Sequence, residues 1–244
     1  MFRLFLLFAI GGVLFVATPC AAVTPCRFDG IRCKTNQDCC SGVCTANVCG
    51  PRTTKCQAFP ATGQTSSFHA GDDGAIQAGA PLQFEDNGDG TITDENTGLM
   101  WEKKSADGSI HDHRNAYNWF QAFDVHVARL NSMNFAGHDD WRLPNVRELE
   151  SIVNYGNVNP AVSPAFNTNC TPGCVVLTCS CTAVGGPDPE RGFLYWSSTT
   201  DARDPFGAWG VNFESGFVIE EAKDLPNNQF VRAVRGGSAD DAQR

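Results

Sequence analysis

The sequence predicts an α+β fold, in which two helices pack on an antiparallel sheet and a small disulfide-rich module precedes them. Helical periodicity is confined to two segments between residues 116 and 154, and strand-like segments dominate after residue 190. Six cysteines lie within residues 26–49, a stretch too short to have its own hydrophobic core, so they indicate a covalent framework. The 244 residues suffice for one sizeable core beside that module.

The N-terminus predicts a secretory signal peptide at residues 1–22. Arg3 precedes an apolar run, and Pro19 with small residues follows it, which is the order of a signal and its cleavage site. The run is too short to favour a spanning helix, and a retained anchor is the alternative. The remaining predicted boundaries are a cystine module at 23–50, a linker at 51–80, the main domain at 81–237 and a tail at 238–244.

The net charge of −9 at pH 7 argues against nucleic acid as a partner, because an acidic surface repels phosphate backbones. Together with the signal and the cysteines, it predicts a secreted protein, located outside the cell, in the periplasm or at the cell surface. We expect no membrane-spanning segment once the signal is cleaved.

The cysteines of the N-terminal module follow the spacing C-x6-C-x5-C-C-x3-C-x4-C. This spacing resembles the inhibitor cystine-knot, or knottin, pattern. The sequence alone does not choose among the possible pairings. The resemblance implies Cys26–Cys40, Cys33–Cys44 and Cys39–Cys49. Two roles are open for such a module, an inhibitor-like binding head and a protease-resistant cap.

Five further cysteines lie beyond this module. Cys170, Cys174, Cys179 and Cys181 are expected to pair among themselves, and a four-cysteine zinc site is the alternative that an oxidising compartment disfavours. Because bridges across very short gaps are strained, we expect Cys170 to pair with Cys179 or Cys181, and Cys174 with the other. Cys56 is left over, either unpaired or bridging to a second chain.

The main domain begins with predicted hairpins. Asp86–Gly90 and Asn96–Gly98 are turn clusters between short extended segments. A first helix is predicted over 116–130, where apolar residues recur on one face. They are Ala116, Trp119, Phe120, Phe123, Val127 and Leu130.

A second helix is predicted over Val146–Asn154. Asn145 is placed to cap it, with Glu148 three residues later as in a capping box. Strands are predicted after it, and their ranges are 194–198, 208–213, 217–219 and 231–235.

Five motifs, in order, resemble the C-terminal domain family of the Legionella collagen-like adhesin, a bacterial module, over about residues 81–237. They are Asp86–Thr91 with Thr97–Trp101, Phe135–Asn145, Glu148–Leu149, Tyr195–Ser198 and Val231–Gly237. The resemblance implies a C-type lectin-like fold, related to the formylglycine-generating sulfatase-modifying domains. Arg142-Leu143-Pro144 ahead of Glu148 and Arg235–Ser238 are the marks shared with those domains.

The two relatives imply different functions. The formylglycine-generating type is an oxidase that uses a cysteine pair soon after its Arg-Gly-Gly-Ser, and here Ala239–Arg244 follows instead. The adhesin module binds sulfated polysaccharide and resembles a trimer, but the negative charge of this chain opposes a polyanionic ligand. We therefore expect a non-enzymatic binding module, an adhesin or a glycan- or matrix-recognition protein, with a homo-oligomer implied by the resemblance. The alternative is an enzyme, either a degenerate oxidase of that type or a carbohydrate hydrolase.

No catalytic arrangement stands out, and candidate binding residues are few. Glu85, Asn87 and Asp89 are spaced like some of the oxygen ligands of a calcium loop, and hairpin turn chemistry is the alternative for the same residues. Apart from this calcium site, we expect no cofactor. His111 and His113 could ligate a metal, but no third ligand is apparent, which favours a solvated loop.

Aromatic residues are the other candidates. Ligand-binding candidates are Tyr195, Trp196, Trp209 and Asn212, since aromatic rings can stack on sugars, although core packing is the more usual role. We expect burial of Trp101, Trp141, Trp196 and Trp209. Arg142 is expected in a buried or half-buried charge pair, because an unpaired guanidinium there would be costly.

Overall fold

The computed structural model describes residues 59–185, 194–224 and 228–237, together with the backbone of two short strands near residue 45. The chain divides into two compact units, Met1–Cys56 and Gln57–Arg244. In the first unit, β1 (Cys44–Thr45) pairs antiparallel with β2 (Val48–Cys49). The predicted signal peptide, the knottin-type bridges, Cys56 and the tail lie outside the described residues.

The second unit has two sheets, and its α+β class agrees with the prediction. The strands are β3 (Phe84–Asp86), β4 (Thr91–Asp94), β5 (Met100–Glu102), β6 (Ala116–Tyr117), β7 (Leu194–Thr200), β8 (Gly207–Asn212), β9 (Phe217–Ala222), β10 (Gln229–Phe230) and β11 (Val234–Arg235). The first sheet has the strand order β11-β5-β4-β3 and the second the order β6-β10-β7-β8-β9. Neighbours are antiparallel except β10 and β7, which are parallel.

The final predicted strand needs a correction. Residues 231–235 were expected to form one strand, but β10 and β11 belong to different sheets and 231–233 cross between them. The buried side chain of Arg232 accounts for the interruption, since its guanidinium donates hydrogen bonds to Glu102 O on β5 and to Cys181 O in the disulfide loop. The hairpins predicted before residue 102 and the strands near 194, 208 and 217 are confirmed.

The first predicted helix is present but begins and turns differently. Ala116 belongs to β6, and the helical run starts after Asn118, which forms a capping box with Gln121. Three segments follow one another: α2 (Trp119–Gln121), a π-helix (Ala122–Val127) and α3 (Ala128–Ser132). The wider π turn rotates the predicted apolar face, so that Phe120 is 52% exposed and His126 is fully buried.

The second predicted helix is α4 (Val146–Ser151), shorter than expected but capped as predicted. The Asn145 side chain accepts a hydrogen bond from the Glu148 N–H, and Glu148 accepts one from the Asn145 N–H. Leu149 and Ile152 enter the main core, where Trp101 and Tyr195 also lie.

Residues 59–80 are part of the second unit, which therefore begins before the predicted boundary at residue 81. They contain α1 (Asp73–Ile76), capped by Asp72. The Ala61 N–H donates to Ala80 O at 2.8 Å, and the Tyr155 N–H donates to Thr62 O at 2.8 Å. The first bond joins the two ends of the segment, and the second holds it against the turn that follows α4.

Three of the four tryptophans expected inside are buried, and Trp209 is half-buried. The late cysteines form Cys170–Cys181 and Cys174–Cys179, one of the two pairings expected. Among the described residues, no helix has the length and apolar character needed to cross a bilayer.

Candidate functional site

A buried polar cluster surrounds Glu102 at the end of β5. The Glu102 Oε1 accepts from Lys104 Nζ at 3.0 Å and lies 2.9 Å from His111 Nδ1. The Oε2 lies 2.9 Å from His126 Nε2 and accepts from the Ala233 N–H at 3.0 Å. Because an ionised carboxylate only accepts hydrogen bonds, each histidine carries a proton on the nitrogen that faces Glu102.

The charges of this cluster depend on one another. Burial alone would raise the pKa of Glu102, yet its interactions with His126 and Lys104, with hydrogen bonds from both histidines, hold that pKa well below its ordinary value. Burial lowers the pKa of Lys104 and of His126, and Glu102 opposes both shifts. The result is a buried Glu102–Lys104 ion pair beside a histidine that resists protonation.

Arg232 extends the cluster towards the disulfide loop. Its side chain is fully buried, and its two terminal nitrogens donate to Glu102 O at 2.8 Å and to Cys181 O at 2.8 Å. The guanidinium also lies 5.2 Å from the ring centroid of Phe166. It therefore joins β5, the disulfide loop and the crossing segment 231–233.

The cluster is a poor metal site. The Lys104 ammonium already contacts the carboxylate that would be the anionic ligand, and it would repel a cation. Two ligand groupings with metal-like spacing occur in the described part of the chain, His113 with Cys170 and Cys181, and Cys174 with Cys179 and Cys181. Their cysteines are joined in disulfides and supply no thiolate.

His111 connects the cluster to the surface. It lines a shallow cavity of about 500 Å³ together with Ser109, Asn115 and Arg129. Glu102 holds Nδ1, so Nε2 is the ring nitrogen left for a ligand or a proton. Within the described residues, no hydroxyl or thiol is hydrogen-bonded to Nε2, so this histidine could act as a base but has no nucleophile beside it. The expectation of a solvated loop is wrong for His111 and Asp112, which are both buried.

A second concavity has a different chemistry. It has a volume of about 450 Å³ and contains no charged residue in its lining. We call it the neutral groove, and its lining is Ala61–Thr65, Gln77, Pro81, Leu82, Phe84, Asn154 and Ser163–Ala165.

Close packing shapes one wall of the neutral groove. Gly63 has φ +84°, and a Cβ there would lie 2.2 Å from Asn154 Oδ1. Asn154 Oδ1 accepts from the Gly156 N–H at 2.9 Å, which fixes the amide in place. The chain can pass this close to Asn154 only because residue 63 is glycine.

The polar groups of the groove are amides and hydroxyls. Gln77 Nε2 donates to Gly74 O at 3.1 Å, while the side-chain amide of Gln64 has no hydrogen bond to any described residue. Pro81, Leu82 and Phe84 add apolar surface. Amides and hydroxyls both donate and accept, so this lining suits an uncharged ligand with hydroxyl groups and an apolar face.

The model of one protein family, the Lcl C-terminal domain, matches residues 90–235. The chain belongs to this family. No curated protein matches it. The Lcl C-terminal match begins at Gly90, so most of the neutral groove comes from residues before it, whereas the Glu102 cluster lies within it.

Three of the motifs that resemble the Lcl C-terminal domain meet at Arg142, namely Phe135–Asn145, Glu148–Leu149 and Val231–Gly237. Its guanidinium pairs with both carboxylate oxygens of Glu148, at 2.7 and 2.8 Å, and donates to Gly236 O at 2.7 Å. The Arg142 side chain is 36% exposed, so the predicted half-buried charge pair is confirmed. Arg235 pairs in the same region with Asp140 at 2.7 Å.

The structure places the predicted ligand-binding aromatics mostly in the core. Tyr195 and Trp196 are 0% and 1% exposed, so neither can stack on a sugar, and the core alternative is right for both. Trp209 is half-buried with the Arg203 guanidinium 5.8 Å from its ring centroid. Asn212 Oδ1 accepts from the Glu214 N–H at 2.6 Å and so shapes the β8–β9 turn. The four residues do not form one site.

The predicted calcium residues lie on an exposed hairpin. Asn87 Nδ2 donates to Thr91 Oγ1 at 2.8 Å, and Asp89 Oδ1 accepts from the Thr91 N–H at 3.0 Å. Glu85 lies on β3, opposite Thr93 of β4. Turn contacts therefore use Asn87 and Asp89, and calcium binding at this hairpin stays a prediction.

Sequence reasoning missed both the Glu102 cluster and the neutral groove. Glu102 and His126 are 24 positions apart, and the histidine lies in a π-helix, where residue spacing departs from the predicted helical pattern. The groove combines short segments that were expected to be a linker with the turn after α4. The available signal was the absence of charge from residue 59 to 68.

Proposed function

We propose that this protein is a secreted or surface-exposed, non-enzymatic binding module of adhesin type that recognises a neutral glycan in the neutral groove. Membership of the Lcl C-terminal domain family supports the adhesin role. The groove supports the ligand class, because an acidic protein that carries a cavity free of charged side chains favours uncharged over sulfated sugars.

We also propose that the second unit has a variant of the C-type lectin-like fold. Two helical regions beside antiparallel strands, and the charge pair between Arg142 and Glu148, support a variant of the C-type lectin-like fold. Export is supported by the two disulfides of the second unit.

A glycan panel tests this function directly. The purified protein should bind neutral oligosaccharides in preference to their sulfated counterparts. Gln64→Ala and Gln77→Ala should each weaken binding by about fivefold or more, because each removes hydrogen bonds to the sugar.

Gln83→Ala is the matched control, since Gln83 is exposed and lies between two groove residues without lining the groove. Preference for sulfated sugars, or an equal loss in Gln83→Ala, would contradict the proposal.

The enzyme alternative rests on one observation, the Glu102–His111 pair at the edge of a cavity. The oxidase version loses support because Cys179 and Cys181 are in disulfides. Hydrolysis of a bound glycan that disappears in His111→Gln, while binding persists, would replace the binding role by a catalytic one.

A further inference from the structure

The two disulfides of the second unit lie in contact with each other. Cys174 Sγ is 3.9 Å from Cys181 Sγ, although each sulfur is bonded to a different partner. The sulfur of Cys179 lies within 4.8 Å of both. Sulfurs this close can exchange partners, because a thiolate attacks a neighbouring disulfide directly. The bridges therefore form one connected group.

The two cysteines of the outer bridge differ in their access to solvent. Cys170 lies in the run 167–173, in which every residue is exposed, whereas Cys181 is 0% exposed. The backbone also holds Cys181 on both sides, since its N–H donates to Lys104 O at 2.9 Å and its C=O accepts from Arg232 at 2.8 Å. An external thiol therefore reaches Cys170 more readily and displaces Cys181 from it.

We propose that Cys170 is a modification site for small thiols. The thiolate of the incoming compound bonds to Cys170 Sγ, and the Cys170–Cys181 bond breaks with its electron pair on Cys181. Cys181 then attacks Cys174, forms a Cys174–Cys181 bond and releases Cys179, which takes up a proton. One thiol is consumed and one is released, so no oxidant is needed. This site goes beyond the glycan-binding function and is independent of it.

The structure directs the second attack to Cys174. A bond from Cys181 to Cys179 would span a single intervening residue, which disulfide geometry disfavours. Cys174 is 7 positions from Cys181, and the two sulfurs already touch. Backbone hydrogen bonds hold Cys174 there, because the Gly173 N–H donates to Ala106 O at 2.8 Å and the Ala106 N–H donates to Cys174 O at 3.0 Å.

The released Cys179 thiol is stabilised where it forms. Its sulfur lies 3.4 Å from Val175 O, which can accept a hydrogen bond from the S–H group. The residue is only 1% exposed, and burial favours the protonated thiol, which is not the nucleophilic form. Cys179 therefore attacks the new bridge slowly, and the compound bound to Cys170 is retained.

His113 is placed to exchange the protons of the first step. A ring nitrogen of His113 lies within 4.8 Å of the sulfurs of both Cys170 and Cys181. Its Nδ1 donates to Ser105 O at 2.8 Å, so in the neutral ring Nε2 is the nitrogen that can accept the proton of the incoming thiol. The protonated ring then stabilises the departing Cys181 thiolate, as a cation beside a thiolate does.

Peptide mapping after treatment with glutathione tests the site. All proteins carry Cys56→Ser, so that a thiol at Cys56 cannot be the attacking group. Reduced glutathione is added in the absence of oxygen, and rapid alkylation stops the reaction. We expect glutathione on Cys170, an alkyl group on Cys179 and a Cys174–Cys181 link. No adduct on Cys170, or an alkylated Cys181 beside an intact Cys174–Cys179 bridge, would overturn the proposal.

Variants test the two steps separately. Combining Cys174→Ser with Cys179→Ser removes the sulfur that captures Cys181, so Cys181 expels the glutathione again and the adduct yield should fall about tenfold or more. His113→Gln should slow adduct formation by about tenfold or more and leave the mapped product unchanged. His69→Gln is its matched control, because His69 is exposed, and the rate should not change. An undiminished yield in the double variant would contradict the capture step, and equal rates in the two histidine variants would contradict the role of His113.

Discussion

Glu102 explains how this domain keeps several charges inside. A buried ion pair contributes little by itself, because desolvation offsets the attraction between its partners. Here the carboxylate also satisfies two histidines and a backbone N–H, so removing it would disrupt the whole cluster. Its importance lies in the groups that depend on it.

We expect Glu102→Gln to lower the free energy of unfolding by about 3 kcal/mol or more, since Lys104 would stay buried without a counter-charge. Urea unfolding at neutral pH measures the change. Glu85→Gln, at an exposed position on β3, should change it by less than about 0.5 kcal/mol. Similar changes in the two variants would mean that Glu102 is not central to the cluster.

The cluster also predicts how stability depends on pH. Burial lowers the pKa of His126 below its ordinary 6.5, so below that pH the unfolded state binds more protons than the folded state and stability falls. The lowered pKa of Glu102 adds a second loss, which begins as the pH drops below the ordinary 4.5.

Urea midpoints measured from about pH 8 to about pH 2 should show both losses. His126→Asn should remove the first and reduce the second, because His126 helps to lower the pKa of Glu102. His69→Asn, at an exposed position, should leave both unchanged. If His126→Asn kept the full loss near pH 6.5, another group would be responsible.

The helical elements show where sequence patterns succeed and fail. The cap at Asn145 was predictable because a capping box depends on residues three apart. The buried face of the first helix was not predictable, because a π turn changes the residue spacing on which the helical pattern relies. Likewise, the apolar run before Gly236 resembled one strand, while the distant contacts of Arg232 divide it between two sheets.

The segment 59–65 forms a wall of the neutral groove, and Gly63 controls how closely it packs. We expect Gly63→Ala to cost more than about 1 kcal/mol, because it adds both a strained positive φ and a clash with Asn154. It should also abolish glycan binding.

Gly71→Ala separates these two effects. Gly71 has a similar φ of +88° but open space around its Cβ position, so this variant should show the backbone cost alone. Unfolding and binding assays on both variants are the measurement. Equal effects on binding would show that the wall at residue 63 does not define the ligand site.

The two disulfides of the second unit are nested. Cys170–Cys181 spans a separation of 11 residues and encloses Cys174–Cys179, which spans 5. Replacing the outer pair by serine should cost about 2–4 kcal/mol, and replacing the inner pair should cost less because its loop is shorter. Urea unfolding of the two double variants measures the free energy lost with each disulfide. A larger loss for the inner pair would contradict the loop-length argument.

At the level of the whole molecule, the family and the α+β class were predictable from short motifs, which depend on local residues. The boundary of the main unit was not predictable, because residues 59–80 lack strong periodicity and a backbone hydrogen bond from the distant Tyr155 N–H to Thr62 O holds them in place. The neutral groove was missed for the same reason.

The crossing of residues 231–233 between the sheets has a consequence for biosynthesis. β10 lies between β6 and β7, and β11 pairs with β5, so neither sheet is complete until the ribosome has made residues 229–235. A nascent chain lacking them would expose the sides of β5 and β7 that those residues cover. Both sheets must therefore wait for the same late segment, so this unit cannot form one sheet at a time as the chain is made.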